Sequence, residues 1–308
     1  MCWRVIRPRV TIQPVRICSF LPSATEIVYS LGLEESLVGR SHECDFPSSV
    51  ARKPAVVRPL IEVKGKSPAE VDRAVGEAMR EHGTLYVADE ALLRGLRPDL
   101  VLTQDLCRVC APSGEDLNSV VRRLPHKPRV ISLNPRSVRG ILDSILEVGS
   151  ALKCEGRARE VVSRLEARLE AVRSRVGRAA RTPKVFLLEW VEPPFASGHW
   201  CPEMVRLAGG REVLGREGRE SRRVTWEEVA NATPEILIVS PCGYHLDRVL
   251  PQAKGLPAGL YGQVFAVDAD SYFARPGPRI VDGVELLAHL LHPDLFPWFG
   301  RSDAFVRV

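Results

Sequence analysis

The amino-acid sequence predicts an α/β protein of two Rossmann-like lobes with mostly parallel sheets, joined by one long helix and enclosing a ligand cleft. Short apolar runs alternate with amphipathic stretches in both halves of the chain, which is typical of parallel sheets covered by helices on both faces. An extended helical segment separates the two halves, and 308 residues suffice for two ordinary domains. The predicted parts are an N-terminal extension (1–14), an N-terminal lobe (15–136), a long connecting helix (137–180) and a C-terminal lobe (181–308).

In the N-terminal lobe, Ser23 and Glu26 fit a capping box, which predicts a helix from there to Leu31. Ser67 and Pro68 begin a second helix, with proline at its first helical position. Apolar runs predict strands at 15–19, 37–39, 85–87, 98–103 and 129–133, with further helices at 89–96 and 115–124.

The connecting segment carries apolar residues three and four positions apart, which form one stripe along a helix. These residues are Ala158, Val161, Val162, Leu165, Leu169, Val172 and Val176. Gly149 and Gly156 leave open whether the segment is one bent helix or two. In the C-terminal lobe, strands are predicted at 184–189, 235–240 and 264–267, the last of the chain, with helices at 202–207, 226–231, 244–253 and 278–291.

Composition and charge exclude several classes of protein. The net charge of +5 is spread along the chain, which argues against a nucleic-acid partner. The sequence has no apolar run of about 18 residues, so no membrane span is expected. Residues 1–25 lack the apolar core of a secretory signal, which favours a cytoplasmic monomer, or a periplasmic one if the true start lies upstream.

Candidate binding residues lie in the loops after the predicted strands, because ligands of parallel α/β sheets bind beyond the carboxyl ends of the strands. Aromatic side chains there suit a flat macrocycle, arginines suit ligand carboxylates or phosphate, and histidines could bracket a metal or a corrin ring. Loop anchoring and solvated histidines are the alternatives. The candidate cofactor-binding residues are Ser23, Thr25, Arg40, His42, Gln104, Trp190, His199, Trp200, Tyr244, Tyr272, Phe273 and Arg275.

Cysteines in the same loops are the candidate metal ligands, namely Cys44, Cys107, Cys110, Cys201 and Cys242. Cys107 and Cys110 form the one close pair, and two thiolates at that spacing can bind a soft metal such as zinc or iron. Redox chemistry and unremarkable loop thiols are the alternatives for this pair. A reducing compartment is expected where no secretory signal is visible, which favours thiols over disulfides.

Several stretches, in order and with their spacing, resemble one known family. They are RICSFLPSATE at 16–26, LGL at 31–33, LVGR at 37–40, LRPDLVL at 96–102, MVRLAGG at 204–210, WEEV at 226–229 and PEILI at 234–238. The sequence is similar to the helical-backbone class of ABC-importer substrate-binding proteins for cobalamin, haem and iron siderophores, and most similar to the cobalamin-binding branch.

The resemblance implies a non-enzymatic protein that holds cobalamin, another corrinoid or a related metal-containing cofactor between its lobes. It also implies an ABC permease as partner if the protein is exported. The cysteine-rich loops keep a second hypothesis open, in which the chain is an intracellular metalloprotein or redox enzyme that uses a Cys/His cluster in the same cleft.

Overall fold

The computed structural model describes residues 15–105 and 120–308. Within these residues, the N-terminal lobe contains a six-stranded sheet in the order β4-β3-β2-β1-β5-β6. Neighbouring strands are parallel, apart from the antiparallel pair β3 and β4. The strands are β1 (Ile17–Ser19), β2 (Leu37–Ser41), β3 (Ala55–Pro59), β4 (Tyr86–Ala88), β5 (Leu100–Thr103) and β6 (Arg129–Ser132).

The sequence predicts where two helices of this lobe begin, and the structure confirms one of these positions. Over residues 15–105 they are α1 (Pro22–Ser30), α2 (Pro68–His82) and α3 (Glu90–Leu96). The start of α2 is confirmed, and Ser67 and Glu70 form a capping box there. The capping box at Ser23 and Glu26 is wrong, because α1 already begins at Pro22 and Glu26 binds a side chain of the other lobe. Half of the helix predicted at 115–124, residues 115–119, lies outside the described residues, and residues 120–123 are helical.

The connecting segment predicted as a long helix over 137–180 is split in two, which is one of the alternatives that Gly149 and Gly156 left open. It consists of α4 (Val138–Ala151) and α5 (Glu155–Val176), which are separated by a turn where Lys153 has a φ of 55°. Gly149 of α4 lies so close to Ala158 of α5 that a Cβ at Gly149 would collide with the Ala158 methyl group. The two helices therefore pack against each other next to the turn.

Helix α5 nevertheless spans both lobes, as the apolar stripe indicates. Leu165 packs in the core of the N-terminal lobe, Val172 packs in the core of the C-terminal lobe, and Leu169 contacts both cores. A helix of 22 residues is about 33 Å long, which is enough to connect two small domains. Its packing against both cores fixes the spacing between them.

The C-terminal lobe contains a second sheet, in the order β10-β8-β7-β11-β12-β13, with β9 beside β7. The strand predicted at 264–267 is confirmed, but it is not the last of the chain, because a further strand at Phe305–Arg307 pairs antiparallel with it at the edge of the sheet. The strands are β7 (Lys184–Val191), β8 (Pro194–Ala196), β9 (Arg211–Glu212), β10 (Arg222–Arg223), β11 (Ile236–Val239), β12 (Gln263–Val267) and β13 (Phe305–Arg307).

The helices of this lobe cover both faces of its sheet. They are α6 (Cys201–Leu207), α7 (Trp226–Ala232), α8 (Leu246–Lys254), α9 (Ala269–Tyr272) and α10 (Ile280–Leu291). Within residues 15–105 and 120–308, no helix combines the length and the apolar character needed to cross a bilayer.

Candidate functional site

The two lobes meet at loops that follow the carboxyl ends of their strands. Asp45 lies after β2 in the N-terminal lobe, whereas His245 and Arg275 lie after β11 and β12 in the C-terminal lobe. The Asp45 carboxylate binds both of them, with Oδ2 2.8 Å from His245 Nε2 and 3.1 Å from Arg275 Nη2. Arg275 Nη1 also donates to Oδ1 of Asp45. The strand ends of both sheets therefore border one interlobe cleft, which is where ligands of such sheets bind.

Two further carboxylates hold the cations of the C-terminal lobe in place. Asp268 accepts a hydrogen bond from His245 Nδ1 at 2.9 Å, and Asp270 accepts one from Arg275 Nη2 at 3.1 Å. The interlobe ion cluster, as we call these five residues, thus places two carboxylates on the C-terminal lobe and one on the N-terminal lobe. Hydrogen bonds to Asp268 and Asp45 raise the pKa of His245 to about 10, so the imidazole is a cation at neutral pH.

A second, buried ion pair joins the lobes between α1 and α10. Arg279 donates to both carboxylate oxygens of Glu26, at 2.6 and 2.9 Å, and only 3% of the Glu26 side chain is exposed. Phe46 covers the guanidinium, with its ring centre 4.2 Å from the Arg279 carbon. Burial raises the pKa of Glu26, while the bond from Arg279 opposes that rise.

Sequence reasoning missed most of these interlobe partners. It selected Arg275 but neither Asp45 nor Glu26, whose carboxylates cross to the other lobe. One signal was available in the sequence, since acidic residues follow β2 and β12 while basic ones follow β11 and β12. Oppositely charged residues after strands of two different lobes are candidates for contact across a cleft.

Buried polar atoms without a hydrogen-bond partner concentrate in the loops after the strands. Among the described residues, eight buried side-chain atoms have no such partner, and five of them follow β5, β8 or β11. These five atoms are Gln104 Oε1, Ser197 Oγ, His199 Nε2, Ser240 Oγ and Tyr244 OH. Native proteins rarely leave buried polar groups unpaired, so these atoms are candidates for hydrogen bonds to a bound ligand or to buried water.

Tyr244 is the best defined of these groups. Its ring packs against Trp190 with ring centres 5.4 Å apart, and the Arg248 guanidinium carbon lies 3.9 Å from the Tyr244 ring centre. Only 3% of Tyr244 is exposed, yet its hydroxyl has no partner among the described residues.

His199 is another of these groups. Burial lowers the pKa of His199, so its imidazole stays neutral and can donate or accept a hydrogen bond.

Other predicted binding residues anchor their own lobe. Trp200, Tyr272 and Phe273 lie in the core of the C-terminal lobe, where Trp200 Nε1 donates to the Phe273 carbonyl at 2.8 Å. The guanidinium of Arg40 donates to main-chain carbonyls, including those of Ser41 at 2.9 Å and Lys53 at 3.1 Å. These contacts correspond to the loop-anchoring alternative.

Three predicted binding residues of the N-terminal lobe lie in helix α1 or directly after β2. Thr25 is buried, and its hydroxyl lies 3.1 Å from the Cys44 sulfur. Ser23 lies at the lobe boundary, because a Cβ on Gly277 of the other lobe would come within 3.4 Å of its main chain. The His42 ring lies beside Tyr86, with ring centres 6.0 Å apart.

The candidate metal ligands are divided between different environments. Cys107 and Cys110 lie outside the described residues. Cys44 belongs to the core of the N-terminal lobe and Cys201 to that of the C-terminal lobe. Burial raises the pKa of Cys44 to about 11 and that of Cys201 well above its usual range, so both stay protonated, whereas a metal binds the thiolate. Cys242 is half-buried near Cys201.

The metal site therefore remains a prediction. Over residues 15–105 and 120–308, no group of three or more His, Cys, Asp or Glu side chains is arranged to hold a metal ion.

Known proteins resemble this chain along nearly its whole length. Residues 17–271 match the family model described as periplasmic binding protein. The chain is 25% identical over 289 residues to the vitamin B12-binding protein of Vibrio cholerae, covering 91% of each. A periplasmic haem-binding protein from Pseudomonas aeruginosa has a similar fold, with a TM-score of 0.70, 18% identity and coverage of 96% of this chain and 98% of that one.

The crystal structure of the periplasmic vitamin B12-binding protein of Vibrio cholerae is also similar, with a TM-score of 0.58, 19% identity and coverage of 92% of this chain and 98% of that one. These structures support the two-lobed fold that the sequence predicts. The expectation of a cytoplasmic location finds no support in these matches, because the matched family is periplasmic.

Proposed function

Because the chain belongs to the periplasmic binding protein family, we propose that it is a non-enzymatic binding protein that holds cobalamin or a related metal-containing cofactor between its lobes. The observation that carries the proposal is the set of unpartnered polar atoms buried at the strand ends. An enclosed ligand that donates and accepts hydrogen bonds would satisfy them, and it would remove the free-energy cost of leaving them unpaired.

The chemistry of these atoms favours a corrinoid over haem. Ser197, Ser240 and Tyr244 offer hydroxyls, which both donate and accept, and Gln104 offers an amide oxygen that needs a donor. Primary amides, which cobalamin carries around its corrin ring, match both requirements. The carboxylates of haem only accept hydrogen bonds when ionised. The ring of Trp190, which packs against Tyr244 at an angle of 39°, would supply apolar surface of the kind that a macrocycle requires.

The proposal extends to location and partner. A binding protein of this family is expected to act outside the cytoplasm, and the resemblance to importer components makes an ABC permease the expected recipient of its ligand. The relative named as a vitamin B12-binding protein supports the corrinoid as the first ligand to test.

The test is a titration of the purified protein with cyanocobalamin, cobinamide and haem, followed by visible spectroscopy and calorimetry. We expect saturable, stoichiometric binding of a corrinoid and weaker binding of haem. Tyr244→Phe should weaken corrinoid binding about 5- to 10-fold, the effect of one lost hydrogen bond. Tyr261→Phe is the matched control, because Tyr261 precedes β12 and so lies at the opposite end of that strand from the cleft. Failure of all three ligands to bind at micromolar protein would refute the proposal.

A further inference from the structure

We propose that Asp45 is a clasp residue that closes the two lobes in the absence of ligand and thereby limits how fast a ligand enters the cleft. The claim about ligand entry rests on the proposed binding function. The claim that Asp45 closes the lobes rests on the geometry of the interlobe ion cluster alone. Asp45 reaches two cations that the other lobe positions, and it uses both carboxylate oxygens to do so.

The cations keep their positions without Asp45. Asp268, which binds His245, also accepts hydrogen bonds from the Ser271 amide at 3.0 Å and from its hydroxyl at 2.7 Å. Asp270, which binds Arg275, also accepts one from the Gly243 amide at 3.0 Å. Each cation thus retains a carboxylate of its own lobe, so removal of Asp45 would weaken the contact between the lobes at these loops and leave the C-terminal lobe folded.

Burial distinguishes this contact from an ordinary surface ion pair. The Arg275 side chain is 9% exposed, and its guanidinium also donates to the Glu43 carbonyl of the N-terminal lobe at 3.2 Å. Asp45 and His245 are half-exposed, at 43% and 44%, so the buried guanidinium of Arg275 is what sets this contact apart. The pair of Asp72 and Arg223 also crosses between the lobes, at 2.9 Å, but there the cation is exposed, with 63% of Arg223 exposed against 29% of Asp72. A pair with an exposed cation contributes little, whereas a buried guanidinium is coupled more strongly to its partner.

Closure without ligand has a consequence for binding. A protein that admits ligand only when open binds with an apparent affinity reduced by the fraction of molecules that are open. In the structure, Asp45 is bound to both cations. Loosening the clasp should therefore speed ligand entry without changing any of the unpartnered polar atoms assigned to the ligand.

The experiment compares Asp45→Ala with Asp72→Ala, the same substitution at the exposed interlobe pair. In ligand-free protein, we expect Asp45→Ala to increase the radius of gyration in X-ray scattering and to speed amide exchange about tenfold in the loops after β2 and β12. Asp72→Ala should change neither. Asp45→Glu, which keeps the carboxylate, should restore most of the closure, and His245→Gln should reproduce part of the opening.

Binding kinetics test the claim that Asp45 limits ligand entry. If cyanocobalamin binds the wild-type protein, its association rate with Asp45→Ala should rise about tenfold in stopped-flow measurements, in step with the open fraction. If no ligand binds the wild type, the proposed function fails, but scattering and amide exchange of the ligand-free protein still test whether Asp45 closes the lobes. Identical scattering and exchange for Asp45→Ala and wild type would overturn the clasp whatever the ligand result, and unchanged association kinetics would overturn its role in ligand entry.

Discussion

Arg279→Met is expected to lower the free energy of unfolding by about 3–5 kcal/mol, the range for breaking a buried ion pair by removing one partner. The variant leaves the Glu26 carboxylate with 3% of its side chain exposed and without the two hydrogen bonds that Arg279 donates. It also removes the cation beneath the Phe46 ring. This loss in free energy of unfolding lies at the upper end of the range for single substitutions, because the group left unpaired is charged.

Urea unfolding followed by circular dichroism measures this loss. With a slope of about 3 kcal/mol per molar urea, the midpoint should fall by about 1–1.7 M. The matched control is Arg139→Met, since the Arg139 side chain is 60% exposed in its pairs with Asp143 and Glu166. That control should cost less than about 1 kcal/mol.

The pH dependence gives a second readout. Burial raises the pKa of Glu26, and the loss of Arg279 would raise it further, so the variant should gain a proton on folding. The destabilisation should therefore be larger at pH 8 than at pH 5, where protonation relieves the buried charge. A loss for Arg279→Met no larger than that of Arg139→Met, at either pH, would show that the buried pair does not join the lobes as argued.

Three further predictions follow from the same structure. Closure of the lobes should weaken as the pH rises through about 10, because two carboxylate partners raise the pKa of His245 to about 10 and the imidazole loses its charge there. The contribution of this charge to closure is complete below the ordinary histidine pKa of 6.5 and is lost as the pH passes about 10. X-ray scattering across that pH range measures the closure, and His245→Gln should flatten the profile. Gly149→Ala should destabilise the protein by about 1–3 kcal/mol through a collision with the neighbouring helix, whereas Gly156→Ala, with open space around it, should stabilise it by up to about 1 kcal/mol; equal effects in urea unfolding would contradict the packing described. Tyr244→Phe should raise the stability of the ligand-free protein, because a buried hydroxyl without a partner costs about 1–3 kcal/mol, and a loss of stability in urea would mean that the hydroxyl is already bonded.

Local sequence signals predicted those parts of the fold that depend on neighbours in the chain. The apolar runs at β5 and β11 are buried at every position, and the apolar stripe of α5 packs along both cores. Ser67 and Glu70 form their capping box because both partners lie within one helical turn. Gln104, His199 and Tyr244, which the sequence offers as candidate binding residues, lie in loops after predicted strands and carry unpartnered polar atoms, and their role in binding stays a prediction.

The tertiary structure alone decided what depends on residues far apart in the chain. The pattern of Ser23 and Glu26 is also that of a capping box, yet Glu26 binds Arg279, which is 253 positions away. Asp45 binds His245 across 200 positions, and β13 exists as a strand through its antiparallel pairing with β12. Charge and short apolar runs identify groups that need partners, but the choice of partner depends on which surfaces the packing of two lobes on one helix brings together. The sequence by itself thus determined the two-lobed architecture and the loops that border the cleft, while the contacts that close the cleft were decided only in three dimensions.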